Sequence, residues 1–314
     1  PEGAGKMSVW LPKTAAGRRW LGLAPSYLVI GVFMLVPMII MGVFSFLEPN
    51  PYGGVKPVGS LAAYVKLFFE YDLEDQLVFN PGYINIIFRS FQLSAGATLL
   101  CLIFGFPVAY YITLQPENRR NLYIYLITIP FWTNLLIRTF AWIIILGRGG
   151  VIETPLLAMG VIEKSLGMMY TNGAIAIGLT YSYLPLMVLP IYASLEKLDF
   201  RLLEAASDLY ASRFEVMTKV VIPLCKPGII AGCILVFIPC LGAFIAPNLL
   251  GGGKNLMLGS LVQFQFASAR NWPFGAALSM LLLSAVVIML IFYARSASKR
   301  AAVSYTHLRA HETS

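Results

Sequence analysis

Few residues in the sequence have a type and spacing suited to chemistry, and none of them forms a catalytic set. The run GGGKN at 251–255 is the nearest approach to a phosphate-binding loop, but it lacks the G-x4-G-K-[ST] spacing and the hydroxyl residue that ligates magnesium. The four cysteines have no metal-ligand spacing, and both histidines, His307 and His311, fall in a polar tail. We therefore predict no catalytic residue, no metal site and no cofactor bound by this chain.

The densest internal cluster of charge lies in segment 196–227, EKLDFRLLEAASDLYASRFEVMTKVVIPLCKP. Leu198, Leu202 and Leu209 recur at helical spacing, which predicts an amphipathic helix. A second short helix over 213–221 is expected to stop ahead of Pro223, because a proline ring disfavours helix at the preceding residue. The segment is too charged to cross a membrane. Its periodicity suits two roles equally: docking into another protein, or lying on lipid headgroups.

The rest of the chain has the composition of a membrane protein. Hydrophobic residues make up 58% of the 314 and charged residues 12%, with a mean hydropathy of +0.74; a soluble domain carries roughly 25% charge. This excludes an ordinary cytosolic enzyme and a disordered chain. The net charge of +8 would suit a nucleic-acid partner, but Lys and Arg on cytoplasmic flanks explain it, so no such partner is predicted.

Six apolar stretches are long enough to cross a bilayer as helices. They predict an all-α polytopic membrane protein with spans at 25–47, 92–114, 122–146, 173–195, 228–250 and 274–294. With the N-terminus inside, fourteen of the 23 Lys and Arg residues fall on the inner side and seven on the outer side. Both termini are therefore expected to be cytoplasmic.

This topology divides the chain into three parts. A cytoplasmic segment, 1–24, precedes a transmembrane domain, 25–294, that contains the charged segment 196–227; a cytoplasmic tail, 295–314, follows and is expected to be non-native from about 303. The longest external loop, 48–91, carries an acidic cluster of Glu70, Asp72, Glu74 and Asp75.

Segment 196–227 resembles the EAA loop of ABC-importer permeases, E-A-A-x3-G-x9-I-x-L-P. Glu204, Ala205 and Ala206 match the motif, and Pro223 stands at the required spacing. Tyr210 stands where the family has glycine. Glycine permits a positive φ at the turn between the two helices, so a tyrosine there costs about 1 kcal/mol or forces a different turn.

Further stretches are similar to the PotB-type permeases of spermidine/putrescine ABC transporters, and together they extend over about 20–300. They are PFWTNLLIR (130–138), SLEKLDFRLLEAASDL (194–209), IPLCKPGIIAG (222–232), LLGGGKNLMLGSLVQFQF (249–266) and NWPFGAA (271–277). The resemblance implies a MetI-like type I ABC permease fold with a cytoplasmic coupling loop.

The resemblance also implies partners and a division of labour. The chain would form half of a heterodimeric pore with a second similar permease, in a bacterial inner membrane, and work with two copies of an ABC ATPase and an external polyamine-binding protein. ATP would be used by the ATPase. Coupling residues implied by the motif are Glu204, as the electrostatic contact, with Ala205, Ala206, Asp208, Tyr210 and Pro223.

Arg138 is the one Lys or Arg residue well inside a predicted span, and such groups are candidates for function. A fixed cation repels a polyamine, so we expect a structural or gating role, with snorkelling to the outer interface as the alternative. No Asp or Glu lies in the predicted spans. The other candidate pore or gate residues are Asn134 and aromatic rings able to make cation–π contacts: Phe131, Trp132, Trp142, Tyr181 and Tyr183.

Two alternatives stay open from the sequence. The same architecture could import another organic amine, an opine or an aminophosphonate. An ion-coupled secondary transporter predicts carboxylates near the bilayer midplane, which the sequence lacks, and leaves the EAA segment unexplained.

Overall fold

The computed structural model describes residues 15–71, 76–199 and 201–311, with side chains described for 23–70, 76–199 and 201–295. Asp72, Glu74 and Asp75 of the acidic cluster lie outside the described residues. The helices are α1 (Ala15–Phe44), α2 (Ala62–Val65), α3 (Gly82–Thr113), α4 (Glu117–Trp132), α5 (Leu135–Leu146), α6 (Glu153–Ala158), α7 (Asn172–Leu195), α8 (Arg201–Asp208), α9 (Arg213–Glu215), α10 (Ile222–Gly242), α11 (Ile245–Leu250), α12 (Leu258–Ala267) and α13 (Trp272–His311).

Two small hairpins occupy the segment between α1 and α3, within an otherwise helical fold. Strand β1 (Leu47–Pro49) pairs with β2 (Val55–Gly59), and β3 (Phe69–Tyr71) pairs with β4 (Leu77–Phe79), both antiparallel. The second predicted span starts earlier than expected, since α3 begins at Gly82 rather than at residue 92. The connection before it is correspondingly shorter.

Five helical stretches of the described chain are long and apolar enough to cross a membrane, and a sixth span is a bent pair. The predicted span over 122–146 is this bent pair, since α4 and α5 meet at 90°. Thr133 and Asn134 are extended at the break. Their side chains bond to the freed backbone groups: the Thr133 hydroxyl donates to the Pro130 carbonyl at 2.7 Å, and Asn134 Oδ1 accepts from the Leu136 N–H at 2.8 Å.

The predicted fifth span, 228–250, extends too far, because its helix ends before residue 250. Helix α10 stops at Gly242, Ala243 is extended, and the remaining residues form the separate short helix α11. Gly259 of α12 lies against the carbonyls of Gly242 and Ala243, where a Cβ would clash. The break is thus packed against a neighbouring helix that only glycine lets approach.

The start of the fifth span differs from the prediction as well. A π-helical turn, Val216–Val221, joins α9 to α10 without interruption, and Ile222 keeps helical angles of φ −59° and ψ −46° directly before Pro223. The wider π turn changes the hydrogen-bond register where the proline lacks an N–H. Pro223 therefore lies in the first turn of α10, a position that tolerates proline, and does not end a helix.

The core is built from α3, α7 and α10, which form the most extensive contacts between helices. Its fully buried side chains include Ile112, Met187, Ile191 and Val236. By contrast, no residue of the apolar window 23–44 of α1 is buried, and α1 contacts the bundle through α13.

Glycine permits the closest approach in this core. A Cβ on Gly228 of α10 would clash with the Ser194 side chain and lie 2.5 Å from the Pro190 carbonyl oxygen of α7, and one on Gly232 would lie 2.8 Å from Met187 Sδ. The small-xxx-small spacing of Gly228 and Gly232 therefore does serve tight helix packing.

We expect Gly228→Ala to destabilise the protein. Alanine adds about 1 kcal/mol of helix propensity, but overpacking against a backbone carbonyl costs about 1–3 kcal/mol. Gly31→Ala in α1, where a Cβ meets nothing within 4 Å, gains the same propensity without the clash and is the matched control. In thermal unfolding in detergent, the melting temperature of Gly31→Ala should be at or above that of wild type, and that of Gly228→Ala should be below it. The reverse order would contradict the close packing of Gly228 against α7.

Candidate functional site

Helix α8 carries the EAA residues on the surface of the protein. Glu204, Ala205 and Asp208 are exposed, Ala206 is half-buried, and α8 has no buried residue. Leu203, on the other side of the helix, packs partly against the core, and the helix contacts the π turn that leads into α10. The predicted helix was too long, since Leu198 precedes α8 and lies in the turn after α7. The motif carboxylates are free of hydrogen-bond and ion-pair partners among the described residues.

Tyr210 occupies the left-handed position that ends α8. Its φ is +60°, the N–H of Ala211 donates to the Ala206 carbonyl at 3.2 Å, and the N–H of Tyr210 donates to the Ser207 carbonyl at 3.0 Å. This pair of bonds is the Schellman motif, which usually takes glycine at this position. The turn expected for glycine is therefore kept with tyrosine in place, at a backbone cost of about 1 kcal/mol.

Three apolar side chains stand out from the turn. Leu209 is 82% exposed, Tyr210 98% and Phe214 77%. We call this set the tip patch. Contiguous apolar exposure of this kind marks a contact surface, and here it lies next to the exposed carboxylates Glu204 and Asp208. Sequence reasoning placed Leu209 on the apolar stripe of the predicted helix and singled out Tyr210 as a departure from the motif, but it missed Phe214.

The tip patch is attached rigidly to a membrane span. Ser212 caps α9: its hydroxyl accepts from the Glu215 N–H at 3.3 Å, and the Glu215 carboxylate accepts from the Ser212 N–H at 3.0 Å. Lys219 forms a 2.8 Å ion pair with Glu215 one turn later. Because the π turn and α10 follow α9 without a break, Phe214 of the tip patch lies on one continuous helical segment with the span.

Arg138 lies on the inward-facing stripe of α5, with Leu135, Thr139, Trp142 and Leu146. Its Nε and Nη1 atoms are buried and have no hydrogen-bond partner in the described part of the chain. Gating and snorkelling therefore both stay predictions for this side chain.

The remaining pore candidates divide between the two sides of the α4–α5 break. Tyr181 of α7 packs edge to face on Trp142 of α5, one helical turn after Arg138, with ring centroids 5.6 Å apart. Phe131 and Trp132 end α4 before the break and are exposed, Trp132 at 87%. Asn134 is the cap of α5. The structure thus brings Trp142 and Tyr181 together, on the same side of the break as Arg138, and leaves Phe131 and Trp132 on the other side.

A polar contact that sequence reasoning missed lies where α7 meets segment 196–227. The Tyr192 hydroxyl, on a side chain only 8% exposed, donates to Glu196 Oε1 at 2.8 Å. The Tyr192–Glu196 spacing of one helical turn could have signalled this contact.

At the opposite end of α5, a cavity of about 360 Å³ is lined by residues of the α5–α7 connection, including Glu153, Arg148 and Tyr170. Glu153 is buried, and its carboxylate accepts from the N–H of Gly149 at 2.9 Å and of Leu166 at 3.1 Å. A hydrogen bond from the Ser165 hydroxyl, together with those from Gly149 and Leu166, holds the pKa of the Glu153 carboxyl below its ordinary value of 4.5. The carboxylate is therefore a structural tie for the connection.

This tie predicts a pH-dependent connection. A lowered folded pKa adds stability that is fully present above pH 4.5 and is lost as the pH falls through the folded pKa. Hydrogen exchange over 147–171, corrected for intrinsic rates, should show protection at pH 7 that declines below pH 4.5. Glu153→Gln should lower protection at pH 7 and remove most of its dependence on pH, whereas Glu163→Gln, at an exposed position of the same connection, should match wild type. Equal protection in all three proteins would exclude the tie.

Within the described residues, no group of three or more His, Cys, Asp or Glu side chains is arranged to hold a metal ion. The structure thus presents two separate features: the exposed surface of α8 and the tip patch, and Arg138 near the Trp142–Tyr181 pair between α5 and α7.

Sequence comparison identifies close relatives of known role. The chain is 43% identical over 265 residues to the spermidine/putrescine transport system permease protein PotB of Salmonella typhimurium (strain SL1344), covering 84% of this chain and 88% of the relative. It is 38% identical over 264 residues to the PotB protein of Haemophilus influenzae, with the same shares covered. It is 30% identical to the inner membrane ABC transporter permease protein YdcU of Escherichia coli K12, over 69% of this chain and 73% of that protein. The chain matches no family model.

Solved structures share the fold at much lower identity. A chain of a bacterial ABC transporter involved in the import of the acidic polysaccharide alginate superposes with a TM-score of 0.64 at 15% identity, covering 90% of this chain and 96% of that one. The alginate ABC transporter in complex with its pentasaccharide-bound periplasmic protein gives 0.62 at 16% identity, with coverages of 87% and 91%.

Proposed function

The chain belongs to the PotB family of ABC-transporter permeases, and from this premise we propose that it forms half of the membrane pore of an ATP-driven polyamine importer. It is a multi-pass inner-membrane permease with the type I ABC permease fold. The observation that supports its role most directly is the docking element: exposed Glu204 and the tip patch at the end of a helix that continues into α10.

Coupling to ATP hydrolysis runs through segment 196–227 in this proposal. A separate ABC ATPase hydrolyses the nucleotide, and no cofactor is bound by this chain. Glu204 and Asp208 pair with basic side chains of the ATPase, and the tip patch fills an apolar recess on it. Ala205 and Ala206, with their small side chains, let the ATPase approach the α8 backbone. The Schellman turn at Tyr210 and the first-turn position of Pro223 hold this surface on α10.

The partners proposed are a second, similar permease, two copies of the ATPase and an external polyamine-binding protein. The exposure of helix α1 supports contact with a membrane-embedded partner or with lipid, because none of its residues 23–44 is buried within the chain. The charge count supports an orientation with both termini in the cytoplasm, which also gives the ATPase access to α8.

The cargo proposed is spermidine or putrescine, since the relatives at 38–43% identity are named for these substrates. The pore offers a polyamine aromatic faces rather than a carboxylate trap. Tyr181 and Trp142 form one such aromatic pair, and cation–π contacts give weak binding that a substrate in transit can leave. Selectivity then rests mainly on the binding protein.

Substrate-stimulated ATPase activity of the reconstituted complex tests this function. With its binding protein present, spermidine or putrescine should raise ATP hydrolysis several-fold over the basal rate, and each should compete with the other. Stimulation by an opine or an aminophosphonate, with none by either polyamine, would instead assign the cargo to the alternative class. Stimulation by no amine would reject the proposal.

A further inference from the structure

Two helix breaks within the membrane spans lie beside one cavity. The first break, at Thr133 and Asn134, separates α4 from α5, and the second, at Ala243, separates α10 from α11. Helices α5, α7 and α11 contact one another. Irregular backbone inside a bilayer is tolerated only where it is buried in protein or lines a water-filled cavity. The region where the two breaks meet is therefore a candidate position on the path of the cargo.

The cavity has a volume of about 110 Å³ and touches both breaks. Its lining includes the first residue of α5, two residues of α7 and the residues around the second break: Leu135, Ser182, Tyr183, Pro239, Ala243 and Phe244. None of its described lining residues is Lys, Arg, Asp or Glu. A cavity of this size holds several water molecules, and so also an ammonium group with its first methylene groups.

The hydroxyl of Ser182 lacks the hydrogen bond that other buried hydroxyls in the spans form. Ser182 is only 5% exposed, and neither its hydroxyl nor that of Tyr183 has a hydrogen-bond partner among the described residues. By contrast, the hydroxyls of Thr98, Thr113 and Thr139 each donate to the carbonyl four residues earlier, at 2.7, 2.9 and 2.8 Å. Burying a hydroxyl without a partner is costly, so an unpaired one that lines a cavity indicates a polar ligand there.

The carbonyl end of α10 gives the cavity a negative pole. The N–H of Ala243 donates to the Cys240 carbonyl at 3.2 Å, so the carbonyl of Pro239, a lining residue, loses its usual donor. The last carbonyls of a helix carry roughly half a negative elementary charge, and broken membrane helices bind cations with such ends. The rings of Tyr183 and Phe244 add faces for cation–π contact.

We propose that this cavity is a transit site for one ammonium group of the cargo, which is held by neutral oxygens and aromatic faces in place of a carboxylate. Ser182 and Tyr183 accept hydrogen bonds from the ammonium group. They lie near the middle of the 24-residue helix α7, about 15 Å from its first residue and so at membrane depth. The Arg138 cation, one helical turn beyond Leu135 on α5, weakens the hold on a second cation, which suits a site that must release its cargo. This inference rests on the proposed function, because it assigns a site to that cargo.

Uptake per ATP hydrolysed in the reconstituted complex tests the transit site. Ser182→Ala and Tyr183→Phe each remove one oxygen, and each should lower the ratio about threefold to tenfold, the loss expected for one hydrogen bond. Cargo that is held less well escapes outward after ATP has been hydrolysed. Ser94→Ala removes a fully buried hydroxyl that also lacks a partner but does not line this cavity. It is the matched control and should leave the ratio unchanged.

Thermal unfolding separates this role from a structural one. Removing a buried hydroxyl that has no partner relieves its desolvation cost, so Ser182→Ala and Ser94→Ala should both melt at or above the temperature of wild type. A lowered melting temperature for Ser182→Ala would show that its hydroxyl has a structural partner. That result, or an unchanged uptake ratio in both Ser182→Ala and Tyr183→Phe, would overturn the transit site.

Thiol labelling of the assembled complex gives a readout that does not depend on uptake. Ser182→Cys should react at least about fivefold faster with cationic aminoethyl methanethiosulfonate than with its neutral hydroxyethyl analogue, because a negative pole concentrates cations. Putrescine should slow the cationic reagent. Ser94→Cys should show neither effect, and the wild-type chain supplies the background from its own four cysteines. Equal rates for the two reagents at Ser182→Cys, or a faster reaction with the anionic sulfonatoethyl analogue, would overturn the ammonium site.

The labelling result also separates failure of this site from failure of the proposed function. A cationic preference at Ser182→Cys without polyamine uptake would reject the proposed cargo and support the ammonium site. Polyamine uptake without such a preference would overturn the site and leave the proposed function intact.

Discussion

Replacing Glu204 with alanine is expected to abolish most substrate uptake while the protein still inserts, folds and assembles in the membrane. The carboxylate is exposed on a helix with no buried residue, so its removal costs the isolated chain almost nothing. In the complex it would leave a buried cation on the ATPase unpaired, which costs about 2–5 kcal/mol, equivalent to more than a tenfold loss. Uptake and substrate-stimulated hydrolysis should fall together.

The control for this variant is Glu163→Ala, which removes the same exposed charge from the connection between α5 and α7. It should leave uptake at the wild-type level. Full uptake in Glu204→Ala, at equal amounts of protein in the membrane, would contradict docking through the EAA residues. Loss of the protein from the membrane would show instead that Glu204 is needed for folding, which its exposure argues against.

Arg138→Met is expected to stabilise the protein and to impair transport. The buried Nε and Nη1 atoms have no acceptor in this structure, and replacing an uncompensated buried charge by an apolar side chain of similar length is neutral or stabilising by about 1–4 kcal/mol. For a chain of this size the melting temperature should rise by about 2–8 °C. If the guanidinium finds its acceptor in another state of the transport cycle, losing it should lower uptake about tenfold.

These two effects distinguish a gate from a structural residue. If Arg138 is structural, its substitution should lower the melting temperature of the protein. Uptake should then fall only in proportion to the amount of folded protein. If Arg138 has no role in transport, Arg138→Met should raise the melting temperature and leave uptake unchanged. Arg119→Met, at an exposed position at the start of α4, is the control and should change neither the melting temperature nor uptake appreciably.

Much of the membrane topology could be predicted because it depends on long apolar runs. Hydropathy identified six spans, and the segment too charged to cross contains α8. The breaks could not be predicted in the same way. The run over 122–146 is uniformly apolar apart from a few polar residues, so its hydropathy is the same whether the helix is straight or bent at Thr133 and Asn134.

The ends of helices depended on local hydrogen bonds that composition does not reveal. Pro223 was expected to end a helix, but the preceding π turn accommodates it. The Ser212–Glu215 capping box was readable, since Ser and Glu three residues apart are its signature. Tyr210 kept the turn of the glycine motif because the Schellman bonds outweigh a cost of about 1 kcal/mol.

Long-range contacts in the candidate site lay beyond sequence reasoning. Arg138 and the aromatic residues were proposed as one group, but the break after Trp132 separates Phe131 and Trp132 from Tyr181 and Tyr183. The edge-to-face pair of Trp142 and Tyr181 joins residues far apart in the chain, and only the packing of α5 on α7 brings them together.

The most direct test of the central claim is accumulation of labelled spermidine in proteoliposomes that contain the complete complex, with binding protein outside and ATP inside. Wild type should accumulate spermidine against its gradient, and the Glu204→Ala complex should not, although both hold equal amounts of this chain. ATP-independent accumulation driven by an ion gradient, or equal accumulation by the two complexes, would contradict the account.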